Sequence, residues 1–277
     1  MTSIILDQEV YHTNDFSPFA LTDILTENSK KKQQTFLHFW QYQQTVILGM
    51  KDTRTPFLAD GIKVIQHAGF TPVIRNAGGL GIISDQGILN ISLIFPQEDE
   101  NRISIDEGYE KMLALTRQAF PVYADKIEAY EIKESYCPGT YDLSIDGKKF
   151  AGIAQRRIKN GISVMMYLSV NGDQEKRGGL MRQFYQQALK EQFGTNGYPA
   201  VAPTSMATLE QLFDTPLTVA QVKDLLIDAF TTFYPTSISM GSDTWREANV
   251  SPDEWHAQIE RMTQRNALKE LAYDNTL

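Results

Sequence analysis

Between Ile162 and Val170 the chain reads ISVMMYLSV, with Ile162, Val164, Met166, Leu168 and Val170 on alternate positions. An apolar face repeating every second residue is the signature of a strand packed on a core. Similar β-type runs precede it from Thr45 onward: TVILGM, TPVIR, GIIS, ILNISLIF, YDLSIDG and KKFAGIAQRR. Helical spacing interrupts them over Thr55 to Gly69, with Pro56 in the first turn and glycine at the end, and over Ile105 to Phe120. After Gly179 helices predominate. Thr218 with Gln221 and Ser251 with Glu254 form capping boxes, the second followed by Pro252. The pattern predicts an α+β fold, a mixed and mostly antiparallel sheet flanked by helices and closed by C-terminal helices. With no linker in sight, residues 1–277 are expected to form one catalytic-size domain, its core over about 40–230 and helices over 231–277.

A chain of 277 residues supports a sizeable core, and 42% hydrophobic with 22% charged residues is an ordinary globular composition. One cysteine excludes an internal disulfide, and four dispersed histidines give no metal-ligand cluster, so no metal is expected. A net charge of −8 disfavours nucleic acid as a partner. The N-terminus has no signal-peptide pattern and no apolar run approaches a membrane span, so a cytoplasmic protein without a membrane partner is expected.

Two segments carry chemistry. The first, RNAGGLGIISDQGILNISLI over residues 75–94, has four glycines within ten positions between strand signals. It is either a glycine-rich hairpin or a loop whose bare backbone lies against a ligand. It lacks the third glycine and following helix of a dinucleotide fingerprint, and no phosphate-loop pattern occurs elsewhere. The second, SYCPGTYDLSIDGKKFAGIAQ over residues 135–155, sets Cys137 before a Pro-Gly turn. A lone cysteine is commonly a packed small hydrophobe, but a loop at a strand mouth also suits a nucleophile. The Asp146-Gly147 turn folds the following strand back, bringing Lys148 or Lys149 toward Cys137. A nearby ammonium favours thiolate and supplies a proton to a leaving amine. The two lysines point to opposite faces, so only one enters a site, and spacing does not choose between them.

Together these segments resemble the lipoate-protein ligase A and octanoyltransferase superfamily, whose fold is shared with the biotin protein ligase catalytic domain. The wording is similar to the octanoyl-[glycine cleavage H protein]:protein N-octanoyltransferase group, over roughly residues 40–230. The resemblance implies Cys137 as the acyl-thioester nucleophile and Lys149 as the group that favours the thiolate and moves protons. It implies Gly152, Ile153 and Ala154 as backbone beside the acyl carbonyl, a potential oxyanion hole. Arg75, Gly78, Gly79 and Leu80 match the loop lining the acyl tunnel, with Asp85, Asn90 and Ser92 supporting it; Asp85 is expected to fix loop geometry. Ser84 stands where ligases usually carry histidine, a departure that weakens an adenylate-forming reading.

The implied reaction passes an octanoyl or lipoyl group from a lysine of glycine cleavage H protein to a lysine of E2 lipoyl domains, through a Cys137 thioester. Exchange of one lysine amide for another implies no cofactor, neither ATP nor metal. Alternatives are an acyl-carrier-protein donor, an ATP-dependent ligase, and a non-catalytic acyl-domain binding protein. Ile74, Leu80, Ile82 and Val164 are candidates for the tunnel wall as well as for plain core. Arg156, Arg157 and Lys159 are candidates for a basic docking face or a solvated strand end.

Overall fold

The computed structural model describes residues 2–10, 12, 14–98 and 102–274, with the backbone path alone over 268–274. In chain order the elements are β1 (Ser3–Gln8), α1 (Ser17–Lys32), β2 (Thr35–Trp40), β3 (Gln44–Leu48), α2 (Leu58–His67), β4 (Thr71–Ile74), β5 (Ile82–Asp85) and β6 (Ile88–Pro96). They continue with α3 (Ile105–Ala119), β7 (Glu128–Ala129), β8 (Leu143–Ile145), β9 (Lys148–Ile158), β10 (Gly161–Ser169) and α4 (Gln174–Leu189). The last are α5 (Leu209–Phe213), α6 (Val219–Phe233), β11 (Ser237–Gly241), α7 (Ser242–Asn249) and α8 (Pro252–Asp274). An eight-stranded sheet has the order β11-β1-β2-β6-β10-β9-β8-β7, and β4-β3-β5 form a second, three-stranded sheet. Pairing is antiparallel except for β1 with β2 and β11, and β3 with β4. The mixed, mostly antiparallel sheet expected from the pattern is present.

The alternation along β10 does what its period predicts. Ile162, Val164, Met166, Leu168 and Val170 join Leu89, Ile91, Leu93 and Phe95 of β6 and the apolar sides of α3 and α6 in one core. The opposite face of the same strands carries Asn90, Ser92, Ser163, Tyr167 and Ser169, and it is buried too. There α1, α4 and the small sheet cover the large one, and the second core gathers Val46, Ile47, Ile83, Met181, Phe184 and Tyr185. Polar side chains at full burial must find partners or serve a ligand, because an unpaired one costs about 1–3 kcal/mol. This second face holds the site.

Several details depart from expectation. The stretch before Thr45, which shows no clear periodicity, carries β1, α1 and β2, and β11 lies within the segment expected to be wholly helical. β11 pairs with β1 at the sheet edge. Helix α2 begins at Leu58, so Pro56 precedes the helix. The capping box at Thr218 and Gln221 forms as expected, and Glu254 donates its amide to Ser251 at the start of α8. Among the described residues no helix is long and apolar enough to cross a membrane.

Candidate functional site

The Asp146-Gly147 turn closes a β8–β9 hairpin with both residues at positive φ, 50° and 72°. That is the backbone a two-residue hairpin demands and glycine or aspartate tolerates. The turn sets the register of the lysines. Lys148 points outward and donates to the Thr204 carbonyl, whereas Lys149 is fully buried. Lys149 Nζ donates to Ser135 Oγ (3.1 Å), the Tyr136 carbonyl (3.1 Å) and the Cys137 carbonyl (2.8 Å). Asp142 Oδ1 lies 2.9 Å from the same nitrogen as an ion pair. Its angle is poor for a hydrogen bond, and Oδ1 has no other partner, so the tie is chiefly Coulombic. Burial raises the Asp142 carboxyl above the usual range, opposed by the Lys149 ammonium.

Cys137 sits in the left-handed region, φ 50°, directly before Pro138. Such a conformation costs a non-glycine residue about 1 kcal/mol and persists only where surroundings impose it. Its surroundings are specific: the Leu80 N–H points at Sγ from 3.2 Å, and Arg75 Nη2 lies 3.6 Å away. The same Nη2 donates to the Leu80 carbonyl at 3.0 Å. The sulfur is therefore held by the glycine-rich loop, and Lys149 spends its hydrogen bonds on oxygens. The resemblance implies Lys149 as the cation that favours the thiolate; the cation in contact with Sγ is Arg75, and Lys149 lines the same cavity.

A narrow cavity of about 60 Å³ opens beside these groups. Cys137, Lys149, Gly152 and Tyr167 line it, together with Phe19 and Thr22 of α1 and Trp40 of β2. Six of the expected binding residues line it: Arg75, Asn90, Ser92, Gly152, Ile153 and Ala154. Gly79 and Leu80 contact the sulfur side instead, since a methyl built on Gly79 would lie 3.2 Å from Sγ. Gly78 has open space beside it. Asp85 points away, paired with Arg177 through 2.6 and 2.9 Å bonds. The pair ties β5 to α4. Asn90 donates to Ser84 at 2.8 Å, so Ser84 orients a wall residue. Strand β8 pairs β9 only as far as Ala151, which leaves one edge of the 152–154 backbone facing the cavity side without a strand.

The expected tunnel wall is corrected. Ile82 lines the cavity, but Ile74 and Leu80 pack in the second core and Val164 faces the opposite core. The apolar wall comes from the side chains of Phe19, Trp40, Ile47 and Met165, with Ile91 and Met166, whose side chains belong to the first core, bordering it. The three basic residues each have partners within the chain, with Arg157 and Lys159 remaining exposed. Arg156 clamps Asp23 through 2.8 and 3.2 Å bonds and donates to the Asn76 carbonyl, while Asn76 donates to Asp23. This knot fastens the glycine loop to α1 and β9 above the cavity. Arg157 binds the carbonyls of Ile103 and Ser104, and Lys159 pairs with Glu27.

Behind the loop, Asp52 is fully buried and accepts from the Gly49 N–H (2.7 Å) and Tyr185 hydroxyl (2.9 Å), which itself accepts from the Gly81 N–H. Burial raises its carboxyl to about 6. Among the described residues no group of histidine, cysteine and carboxylate side chains could hold a metal ion. Asp142, Asp52 and Tyr185 were missed by sequence reasoning; only the nearness of Asp142 to Cys137 and Lys149 in the chain gave a hint.

The family profile described as "Lipoyl protein ligase A/B catalytic domain" matches residues 14–231. A Macrococcus caseolyticus protein named octanoyl-[GcvH]:protein N-octanoyltransferase is 42% identical over 265 residues, covering 94% of this chain and 93% of its own. A protein of the same name from Exiguobacterium sibiricum is 43% identical over 248 residues, covering 90% and 88%. Among solved structures, lipoate-protein ligase A bound with ATP superposes with a TM-score of 0.66 at 14% identity, covering 95% of this chain and 94% of its own. The bi-partite lipoate protein ligase of Thermoplasma acidophilum gives 0.61 at 16%, covering 94% and 90%. At those identities the likeness is one of fold.

Proposed function

Because the chain belongs to the lipoyl protein ligase A/B catalytic domain family, we propose that it is an octanoyl-[H protein]:protein N-octanoyltransferase, which moves an octanoyl or lipoyl group between protein lysines through a thioester on Cys137. The observation that carries the reading is the placement of a strained, loop-borne Cys137 Sγ at an apolar cavity, 3.2 Å from a backbone N–H and 3.6 Å from a guanidinium. A core cysteine needs none of these, whereas a thiolate nucleophile benefits from each.

In the first half-reaction the thiolate attacks the amide carbonyl of an octanoyl-lysine on glycine cleavage H protein. A C–S bond forms, and the oxyanion meets the free backbone edge of Gly152–Ala154. The C–N bond then breaks as the Lys149 ammonium gives a proton to the departing lysine amine. Octanoyl thioester, free H-protein lysine and neutral Lys149 result. In the second half an amine, supplied by the lysine of an E2 lipoyl domain, attacks the thioester; Lys149 takes back a proton and thiolate leaves. Amide is exchanged for amide, so the cycle consumes no ATP and calls for no metal. The acyl chain lies among Phe19, Trp40, Ile47, Ile82 and Met165, each buried methylene contributing about 0.8 kcal/mol.

The test is incubation with octanoylated H protein and apo lipoyl domain without ATP, followed by intact mass. The expected result is an adduct of one octanoyl group on the wild type, none on Cys137→Ala, and transfer to the acceptor by the wild type alone. Transfer from an acylated carrier protein but not from H protein would change the donor. ATP-dependent activity surviving in Cys137→Ala would make the chain a ligase. Binding of an acylated domain, unaffected by either Cys137→Ala or Lys149→Met and without turnover, would leave a non-catalytic module.

A further inference from the structure

We propose that Asp142 is a positioning residue for this reaction: one buried carboxylate holds the proton-carrying Lys149 and the turn bearing Cys137 in a single fixed arrangement. The inference rests on the acyl-transfer reading and adds a residue to it. Oδ1 stands 2.9 Å from Lys149 Nζ, while Oδ2 accepts the backbone N–H of Gly139 (3.2 Å) and of Ile132 (3.1 Å). Asp142 also donates its own N–H to the Gly139 carbonyl at 3.1 Å. Gly139 is two residues from the nucleophile, and the Lys149 ammonium reaches back to the Cys137 carbonyl. The carboxylate thus closes a ring through Gly139, Cys137 and Lys149, and its side chain is almost wholly out of water, with 1% exposure.

The charge balance gives the ring a purpose. Four oxygens surround an ammonium that has three N–H donors. Three of the four are neutral, so Asp142 supplies the countercharge. Facing Lys149 from the other elements are Tyr136 on the same loop, Tyr167 on β10, and Cys137 with Arg75 beyond it. Burial raises both tyrosine hydroxyls, which stay neutral at working pH. Apart from the thiolate itself, Asp142 is the anion that can keep Lys149 charged until the leaving amine needs its proton. No hydrogen bond from Nζ goes to Sγ, so proton delivery requires the lysine to turn from its oxygens toward the cavity, where Gly152 leaves room. A methyl on Gly152 would approach Nζ to 3.4 Å.

The experiment compares wild type, Asp142→Asn, Asp142→Glu, Lys149→Met and the Asp142→Asn/Lys149→Met double variant. Single-turnover thioester formation from octanoylated H protein is followed across pH. Asp142→Asn is expected to be at least tenfold slower at neutral pH, with the alkaline limb of its profile moved to lower pH by about one unit or more, since an ammonium without its counter-ion sheds its proton sooner. In the Lys149→Met background the same change should cost less than twofold, because a side-chain amide can still accept the Gly139 and Ile132 N–H groups and only the lysine contact is lost. A uniform loss with an unmoved limb, or losses that multiply in the double variant, would overturn the proposal and leave Asp142 a fold residue. If Asp142→Asn does not fold, Asp142→Glu carries the test: charge is kept and geometry lost, so the rate falls while the limb stays. A limb that moves, or an unchanged rate, overturns the proposal. An activity-free readout separates this inference from the function it rests on. Modification of Lys149 by a small anhydride, mapped by peptide mass, should begin at lower pH in Asp142→Asn than in wild type, whether or not the wild type transfers octanoyl groups. Equal onset would count against Asp142 under either outcome.

Discussion

A methyl group at Gly49 tests how the sulfur is held. Gly49 follows β3 and packs against the Gly79–Leu80 peptide so closely that an added Cβ would lie 2.0 Å from the Gly79 carbonyl oxygen and 3.1 Å from Leu80 N. These are backbone atoms and cannot rotate aside. Relief requires the peptide to move by about 1 Å, which would stretch the 3.2 Å contact between the Leu80 N–H and Cys137 Sγ to about 4 Å. A hydrogen bond to a charged acceptor contributes about 1.5–3 kcal/mol, so losing it should slow reaction at the sulfur roughly tenfold to a hundredfold. Overpacking costs the fold about 1–3 kcal/mol, within the stability of a typical domain. The assay is the rate of Cys137 alkylation by iodoacetamide at pH 7, followed by intact mass on protein shown to be folded. Gly49→Ala should be alkylated at least tenfold more slowly than wild type. Gly78→Ala is the control, because an added methyl there meets nothing within 4 Å, and its alkylation should match wild type. A folded Gly49→Ala protein alkylated at the wild-type rate, or equal slowing in the control, would refute this account of the sulfur's environment.

Two further outcomes follow from charges behind the site. Burial raises Asp52 to about 6, so between its unfolded value of about 3.9 and 6 the folded state holds the extra proton and stability falls as pH rises. Asp52→Asn cannot ionise, and urea titrations should show the wild type losing about 2 kcal/mol more than the variant between pH 4.5 and 7; equal slopes would remove the effect. Arg177 is buried and bidentate to Asp85, so Arg177→Ala should destabilise by about 3 kcal/mol in urea while leaving the Cys137 alkylation rate of folded protein unchanged. A slowed alkylation would bring Asp85 into the reacting centre.

The parts of the fold that were legible are those whose side chains obey one rule along their length. Strand β10 alternates, the Asp146-Gly147 turn fixes the β8–β9 hairpin, and strand alternation alone separates Lys148 from Lys149 without saying which points inside. Helix α1 was illegible for a physical reason: it buries Thr22, Asp23, Thr26, Asn28 and Ser29 along with its apolar residues. A helix that puts polar groups over a cavity and into the Asp23–Arg156 clamp shows no clean apolar stripe. The nucleophile segment was readable because its chemistry is continuous in sequence. The cavity wall was not, because Phe19, Trp40 and Met165 come from three separate elements and look like core until the strands are stacked. The three basic residues after Gln155 looked like one surface, but strand alternation and their own partners disperse them. Asp142 escaped notice because its partner is across a hairpin.

The cavity runs across strands. From β9, which bears Lys149, to β2, which bears Trp40, the sheet order crosses β10 and β6, a span of three strand spacings or about 14 Å. On the proposed acyl-transfer reading, bond making is confined to the β9 side and chain-length measurement falls to the β2 side, on an element with no part in the proton transfers. Cargo preference and reactivity are thereby separable traits: substitutions at Phe19, Thr22 and Trp40 can retune which acyl group is carried while the nucleophile segment drifts under a different selection. A laboratory library restricted to those three positions would be a short route to a transferase for longer or branched acyl labels.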